Sequence, residues 1–399
     1  MRKVKILIIG GGASGLFCAL ALCSTDLLVL EKKDRVGKKL SATGNGQGNV
    51  SNVDLTADKY FSVRKYADKK VENILDNYGY DKTIGFLEEK GGLFASDERG
   101  RVYPSGKQAS AVTDLFRYCL ESQGKKVVTD CAVTKIKKAN FGFEVTARVG
   151  EKEEKFCASN VVFACGGKAS PSFGSDGSAY QLLKDLGHSV TPLYPSLVQL
   201  KTDVTNIKGL KGIRVFATLT VKEKDNVVVK ESGDLIFTDY GISGDAVFRL
   251  SAFVTEKAEK GIDVDIDLLP DQSEENLIKV LNKRVQQKIF CGSELLCGLL
   301  PNALGRAVIK RAGCTDTKVV AKLVKKFTLK ARGTLGFDYA QVTKGGIPLD
   351  EVSECLESKF APNLFITGEA LDVDGQCGGY NLQWAFSSAC AVAETINKR

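Results

Sequence analysis

The sequence predicts a doubly wound α/β domain, interrupted by an insertion of different texture and completed near the C-terminus. Three observations carry that expectation. Lys3 to Ile9 is an apolar run of strand type, followed by Gly10-Gly11-Gly12-Ala13-Ser14-Gly15 and helical residues from Leu16 to Cys23. A second apolar run, Leu27 to Leu30, ends in Glu31, at the distance from the glycines that a first βαβ unit requires. Between about Leu197 and Leu335 strand and helix cease to alternate. Leu364 to Thr367 then resumes the pattern, and a final helix from about Leu382 to Asn397 sets Ala385, Ala389, Val392 and Ile396 on one face.

Within this frame, Lys38 to Asn52 (KKLSATGNGQGNVSN) reads as a loop, because Gly and Asn tolerate left-handed backbone. Helices follow over roughly 64–78 and 109–123. The run from Lys126 to Cys165 divides into strands VVTDCAVTKI, FGFEVTARV, KEEKFCAS and NVVFACGG. In the insertion, VFATLTVKEK, VVVKESGDLIF and IDVDIDLL read as strands, whereas 273–330 reads as helical. Ser273 is placed as an N-cap, Leu277, Val280, Leu281 and Ile289 form a stripe, and a further helix opens at Pro301 and closes at Gly313.

Length and composition narrow the chemistry. A chain of 399 residues with 43% hydrophobic and 26% charged residues exceeds what one core usually supports, and 40 Gly imply many close backbone turns. The +8 net charge comes from Lys spread over helices and hairpins. Together with a single Trp, Trp384, and no basic-aromatic alternation, it reads as a solvated surface and disfavours a nucleic-acid partner. Twelve Cys without paired spacing imply reduced thiols and a cytoplasmic location. Glycines at 10, 11, 12 and 15 break the apolar stretch Val4 to Cys23, so no membrane span is expected. His188 is the only histidine, which argues against a His-ligated metal and against a Ser-His-Asp relay. No metal site is expected, and the chemistry should come from a cofactor. Cys18 and Cys23 have C-x4-C spacing but fall in the first helix facing different directions, which disfavours a redox pair; Cys291 and Cys297 read as core thiols.

The glycine turn has a physical reading residue by residue. Gly10 permits the tight turn, Gly12 lets a pyrophosphate approach the backbone, Gly15 lets helix and strand pack closely, and Glu31 falls where a ribose would lie. The helix N-terminus offers free amides and a positive dipole end. Two later segments favour FAD over NAD: the buried strand and paired glycines of NVVFACGG, and LFITGEALDVDGQCGGYNLQWAF, which brings a second helix N-terminus suited to the pyrimidine edge of a flavin.

The segments IIGGGASG, GKKLSATGNGQGNVSN, LIFTDYGISG, VTKGGIPLDEV and GEALDVDGQCGGYNLQWAFSSA together resemble a family of bacterial flavoproteins, the aminoacetone oxidase or 3-dehydro-bile acid reductase-like family. The resemblance implies a discontinuous Rossmann-like FAD-binding domain (1–196 and 335–399) with an inserted β-barrel-like domain (197–270) and a helical subdomain (271–334). Carried over, it implies FAD contacts at Gly10, Gly12, Ala13, Ser14, Gly15, Glu31, Lys32, Lys39, Leu40, Gly44, Asn45, Gly46, Val133, Ala164, Gly166, Gly368, Glu369, Gly379, Tyr380, Asn381 and Leu382. Tyr240, in a Gly-flanked turn, and Gln341 are candidates for the substrate side; no catalytic residue and no oligomeric state is assigned. The chain departs from the family at Gln47-Gly48, where Arg-Cys is usual, and at Asp239, where His is frequent. The implied activity is two-electron flavin redox on a small molecule: NAD(P)H-dependent reduction of a C=C conjugated to a ketone, as in a 3-dehydro-bile acid, or oxygen-dependent oxidation of an amine such as aminoacetone. An RNA-acting flavoprotein and a non-catalytic flavin scaffold are the alternatives of other classes.

Overall fold

The computed structural model describes residues 1–63, 67–223, 226–258, 260–288 and 290–399. The chain divides into two units, residues 1–194 with 342–399, and residues 195–341.

The first unit is a Rossmann-like sheet with helices. Strands β1 (Arg2–Ile9), β2 (Leu27–Leu30), β3 (Lys126–Val128), β4 (Cys131–Ala139), β5 (Gly142–Val149) and β6 (Lys152–Phe163) lie in the order β3-β2-β1-β6-β5-β4. β1 to β3 and the end of β6 are parallel; β4, β5 and the start of β6 form an antiparallel meander. The sequence reading divides β6 in two at Ser159, but the structure runs it straight through. What changes at that point is the partner: up to Ala158 β6 pairs with β5, and from Val161 to Phe163 the same edge pairs with strand Leu364–Ile366. The burial pattern follows, from an exposed start to a buried end between parallel neighbours. Helix α1 (Ala13–Ala21) connects β1 to β2, and its Phe17 stacks on Phe386 of the C-terminal helix Tyr380–Asn397. The helix read over 64–78 is described over Ala67–Tyr78; Arg64 lies outside the described residues.

The second unit contains a closed antiparallel barrel of β7 (Leu200–Thr202), β8 (Arg214–Glu223), β9 (Asn226–Phe237), β10 (Gly241–Ser243), β11 (Ile262–Asp267) and β12 (Leu329–Thr334), in the order β7-β10-β9-β8-β11-β12 and back to β7. Two expectations are corrected here. Asp245–Ala258, read as part of a strand series, is a helix, α2, with Val247, Leu250 and Val254 buried at helical spacing. Residues 329–334, read as the end of the helical subdomain, supply the closing barrel strand, and their burial alternates residue by residue. Helices α3 (Glu274–Gln287), α4 (Asn302–Ala312) and α5 (Thr317–Lys325) lie between the last two strands. Ser273 caps α3 by accepting from the Asn276 amide at 3.1 Å, and Gly313 ends α4 in the left-handed region at φ 66°. Leu277 and Leu281 are buried and Val280 partly so, while Ile289 falls outside the described residues. Cys291, expected in the core, is exposed because it begins a short surface turn; Cys297 is half-buried.

The lone histidine is fully enclosed in the first unit. His188 Nδ1 lies 2.9 Å from Glu351 Oε2 and Nε2 lies 2.7 Å from Ser358 Oγ, an arrangement of Ser, His and carboxylate that the sequence reading had set aside. It is a structural bracket, because Ser358 is buried and its oxygen already accepts from the amides of Phe360 (3.1 Å) and Ala361 (3.0 Å). The neutral ring fits these partners when Nδ1–H donates to Glu351 and Nε2 accepts from Ser358. Burial lowers the His188 pKa below 6.5 against the opposing pull of Glu351. The unfolded chain therefore takes up a proton that the fold resists, so this contribution to stability is present above 6.5 and is lost as pH falls below it. The melting temperature is expected to fall between about pH 7 and pH 5.5, with a shallower fall in His188→Gln. Equal slopes in calorimetry of the two proteins would refute the assignment.

Candidate cofactor site

The β1–α1 turn is built by backbone crowding. A Cβ on Gly10, at φ 107°, would sit 2.4 Å from the Ala164 carbonyl oxygen, and one on Gly15 would sit 1.9 Å from the Gly10 carbonyl oxygen. These glycines let α1, β1 and the end of β6 touch. Gly12 differs: its backbone is extended, and a Cβ there would meet nothing within 4 Å. Among the described residues, no acceptor engages the amides of Gly12, Ala13, Ser14 or Gly15. An open backbone face followed by free amides at a helix N-terminus fits a dinucleotide pyrophosphate.

Glu31 ties β2 to this turn. Its Oε2 accepts from the Gly11 amide and its Oε1 from the Lys33 amide, each at 2.8 Å. The Glu31 carbonyl accepts from Cys131 at 2.8 Å, which brings in β4, where Val133 pairs with Ala147. Lys32 pairs with Asp176 at 2.7 Å. On the returning segment, Gly368 stands over α1, because a Cβ there would lie 2.8 Å from Ser14 Oγ. Its amide donates to Ser388 Oγ at 2.9 Å and its carbonyl accepts from the Trp384 indole at 3.2 Å.

Glu369 joins three segments. Lys39 donates to its Oε2 at 2.7 Å, and the Thr343 amide donates to its Oε1 at 2.8 Å. Thr343 Oγ1 accepts from the amides of Lys168 (2.7 Å) and Ala169 (2.9 Å), just beyond Gly166. Asn381 locks the glycine turn before the C-terminal helix by accepting from the Gly375 amide at 2.8 Å and donating to its carbonyl at 2.7 Å. The amides of Tyr380, Asn381 and Leu382 have no acceptor among the described residues. Gly44, Asn45 and Gly46 form a short turn in left-handed backbone, Leu40 is buried, and the loop reaches the turn before the C-terminal helix through Asn52, whose side-chain Nδ2 donates to the Gly378 carbonyl at 3.0 Å. Gly48, the departure from the family pattern, lies at φ 75° with Ala109 only 2.8 Å from where its Cβ would be.

The predicted residues of the first unit thus gather around the ends of β1, β2 and β6, the 38–52 loop and two helix N-termini. Gly11, Thr343, Trp384 and Ser388 were missed. All four lay within quoted segments; Gly11 acts through its amide, and Thr343, Trp384 and Ser388 bond backbone groups or Glu369 in ways that only the fold brings together. Tyr240 and Gln341 belong to the second unit, where the Tyr240 carbonyl accepts from Thr202 at 3.0 Å and the Gln341 amide donates to Leu197 at 3.3 Å. Burial raises the pKa of the Cys165 thiol and of the Tyr180 phenol and pushes Tyr380 up to about 12, so these groups stay protonated near neutrality. Cys18 is buried with its thiol pushed up to about 12, while Cys23 is exposed; both are free.

The HI0933-like protein Rossmann domain model matches residues 4–395. The chain belongs to the HI0933-like family. This HI0933-like chain is 35% identical to the 3-dehydro-bile acid delta(4,6)-reductase of Clostridium scindens, over 99% of both chains. It is 28% identical to the ribosomal RNA dihydrouridine synthase of Haemophilus influenzae, over 98% of both. Among solved structures it resembles the 3-ketosteroid-delta4-(5alpha)-dehydrogenase of Rhodococcus jostii RHA1, with a TM-score of 0.55 and 15% identity over 98% of this chain and 96% of that one, a likeness of fold. The HI0933-like chain is an FAD-dependent oxidoreductase.

Two glycine substitutions separate folding from binding. Gly12→Ala, with open space at the new methyl, should leave the melting temperature of the FAD-free protein unchanged while weakening FAD at least ~10-fold, about 1.4 kcal/mol. Gly15→Ala should destabilise the FAD-free protein itself. Flavin-fluorescence titration with thermal melts tests both, and unchanged FAD affinity in Gly12→Ala would remove the pyrophosphate from this turn.

Proposed function

We propose that this enzyme reduces a carbon–carbon double bond conjugated to a carbonyl, with NAD(P)H as electron donor. The observation that carries the reading is that the curated relatives' names describe one transformation on two scaffolds. A 3-dehydro-bile acid delta(4,6)-reductase saturates bonds in conjugation with a 3-ketone, and dihydrouridine is uridine saturated at the bond conjugated to its C4 carbonyl. In the balance, NAD(P)H gives a hydride, solvent gives a proton, and the alkene gains two C–H bonds. FAD, when bound, supplies the two-electron relay between donor and alkene.

The residues that hold FAD in this reading are those of the candidate site. The amides of Gly12 to Gly15 receive the pyrophosphate, Glu31 the ribose, and the amides of Tyr380 to Leu382 face the pyrimidine edge of the flavin, where negative charge gathers on reduction. The Lys39–Glu369 pair is internally neutral and fixes the 38–52 loop against the returning segment without adding net charge. The sequence has one strand-turn-helix glycine fingerprint, so the nicotinamide docks transiently and leaves.

A 3-dehydro-bile acid-like ketone is the first substrate, on the 35% identity. The second reading is a uracil in RNA. It is favoured by the distribution of charge: residues 271–334 hold 13 Lys and Arg against 5 Asp and Glu, while the rest of the chain is balanced at 43 against 43. The first test is anaerobic mixing of FAD-loaded protein with NADH or NADPH, followed by a 3-oxo-4-ene steroid acid. Bleaching by the nicotinamide and recovery of colour with the steroid acid are expected; bleaching by aminoacetone alone, with the alkene inert, would overturn the reading in favour of amine oxidation.

A further inference from the structure

We infer that the outer faces of α3 and α5 form a docking surface for RNA, an inference that rests on the second substrate reading above. The chain's whole +8 excess lies in the 64 residues that contain these helices. The sequence reading took the lysines as dispersed, but the fold collects them. α3 turns Leu277 and Leu281 inward and exposes Lys279 and Lys283; α5 buries Val320, Ala321 and Val324 and exposes Lys318 and Lys322. The helices are joined where Thr317 Oγ1 donates to Asn282 Oδ1 at 2.6 Å, so that Lys283 and Lys318 adjoin the joint.

Among the described residues, no ion pair engages Lys279, Lys283, Lys318 or Lys322, whereas Lys325 and Lys326 near the end of α5 pair with Asp267 (2.6 Å) and Asp265 (3.2 Å). Of the nearby acids, Asp316 caps α5 by accepting from the amides of Lys318 and Val319, and Glu274 and Glu275 sit in the first turn of α3, at the end of the helix away from Lys283. Both lysine pairs have i,i+4 spacing, and like charges so placed cost an isolated helix about 0.2–0.5 kcal/mol per pair. A polyanion reverses that cost and gains by releasing its counterions. A lipid surface would need large apolar side chains beside the lysines. The large hydrophobic residues exposed on these helices, Val285 and Val319, are small for that purpose.

The test uses the full-length, FAD-loaded protein with Lys279, Lys283, Lys318 and Lys322 all changed to Gln, and a second variant with all four changed to Arg. The probes are a ribosomal RNA stem-loop transcript, vesicles of phosphatidylglycerol and phosphatidylcholine, and the soluble steroid acid. Wild type and the Arg variant should bind the transcript with a steep salt dependence; the Gln variant should bind at least ~10-fold more weakly, with a salt slope shallower by about 3. FAD affinity and turnover of the soluble alkene should match in all three. Equal transcript binding by wild type and the Gln variant, or a lysine-dependent preference for the vesicles, overturns the surface. Mass spectrometry of the transcript separates the two ideas. Lysine-dependent binding without dihydrouridine would end the uracil reading and leave the surface, whereas dihydrouridine formed equally by wild type and the Gln variant would end the surface and leave the reading.

Discussion

Backbones meet at Gly10, Gly15 and Ala164, the first two without side chains, and the architecture of the first unit depends on that contact. Any Cβ on Gly15 would overlap the Gly10 carbonyl, and one on Gly10 would overlap Ala164. With both absent, α1 sits on the sheet with its first amides unspent, and the end of β6 lies against the start of the turn. Glu31 and Gly368 then hold the neighbouring strand and the returning segment to the same turn. Gly12 has a different purpose from its neighbours. It leaves space where the other two remove it.

Much of the first unit was legible because its signals are local. Gly10 to Gly15, the apolar run before them and Glu31 after them each have one economical reading, and strand, turn and helix fall where the residues put them. Less was legible where a single element serves two partners. The break read at Ser159 is an exchange of β5 for Leu364–Ile366 and not an interruption of β6, a distinction that only the neighbouring strands make. The closing barrel strand was hidden for a related reason: Leu329 to Thr334 alternates over few residues directly after a helix, and short alternations are weak beside long helical stripes. α2 was lost in the opposite way, when a helical stripe was read as part of a β-rich series.

The candidate site shows the same division. Residues carried over from motifs lie at the β1–α1 turn, the ends of β2 and β6, the 38–52 loop and the start of the C-terminal helix. The groups that orient them, the Thr343 amide, the Trp384 indole and the Ser388 hydroxyl, make ordinary hydrogen bonds that need the fold to be seen. His188 gives the converse lesson. Its uniqueness argued against a relay, yet it lies between a serine and a carboxylate; two amides on Ser358 make that triad a fastening.

The shared edge of β6 also orders the assembly of the protein in time. Val161 waits for Leu364, whereas every barrel strand is present once Thr334 has been made. During synthesis the inserted barrel can therefore close first, and the sheet of the first unit has an unpaired edge at Val161 to Phe163 until Leu364 to Ile366 emerge. An open edge of buried, apolar strand is a template for unwanted pairing. Chains truncated before Leu364 should thus be marked for aggregation or degradation, and the candidate cofactor site, begun at the Gly10 turn, is completed only after the barrel.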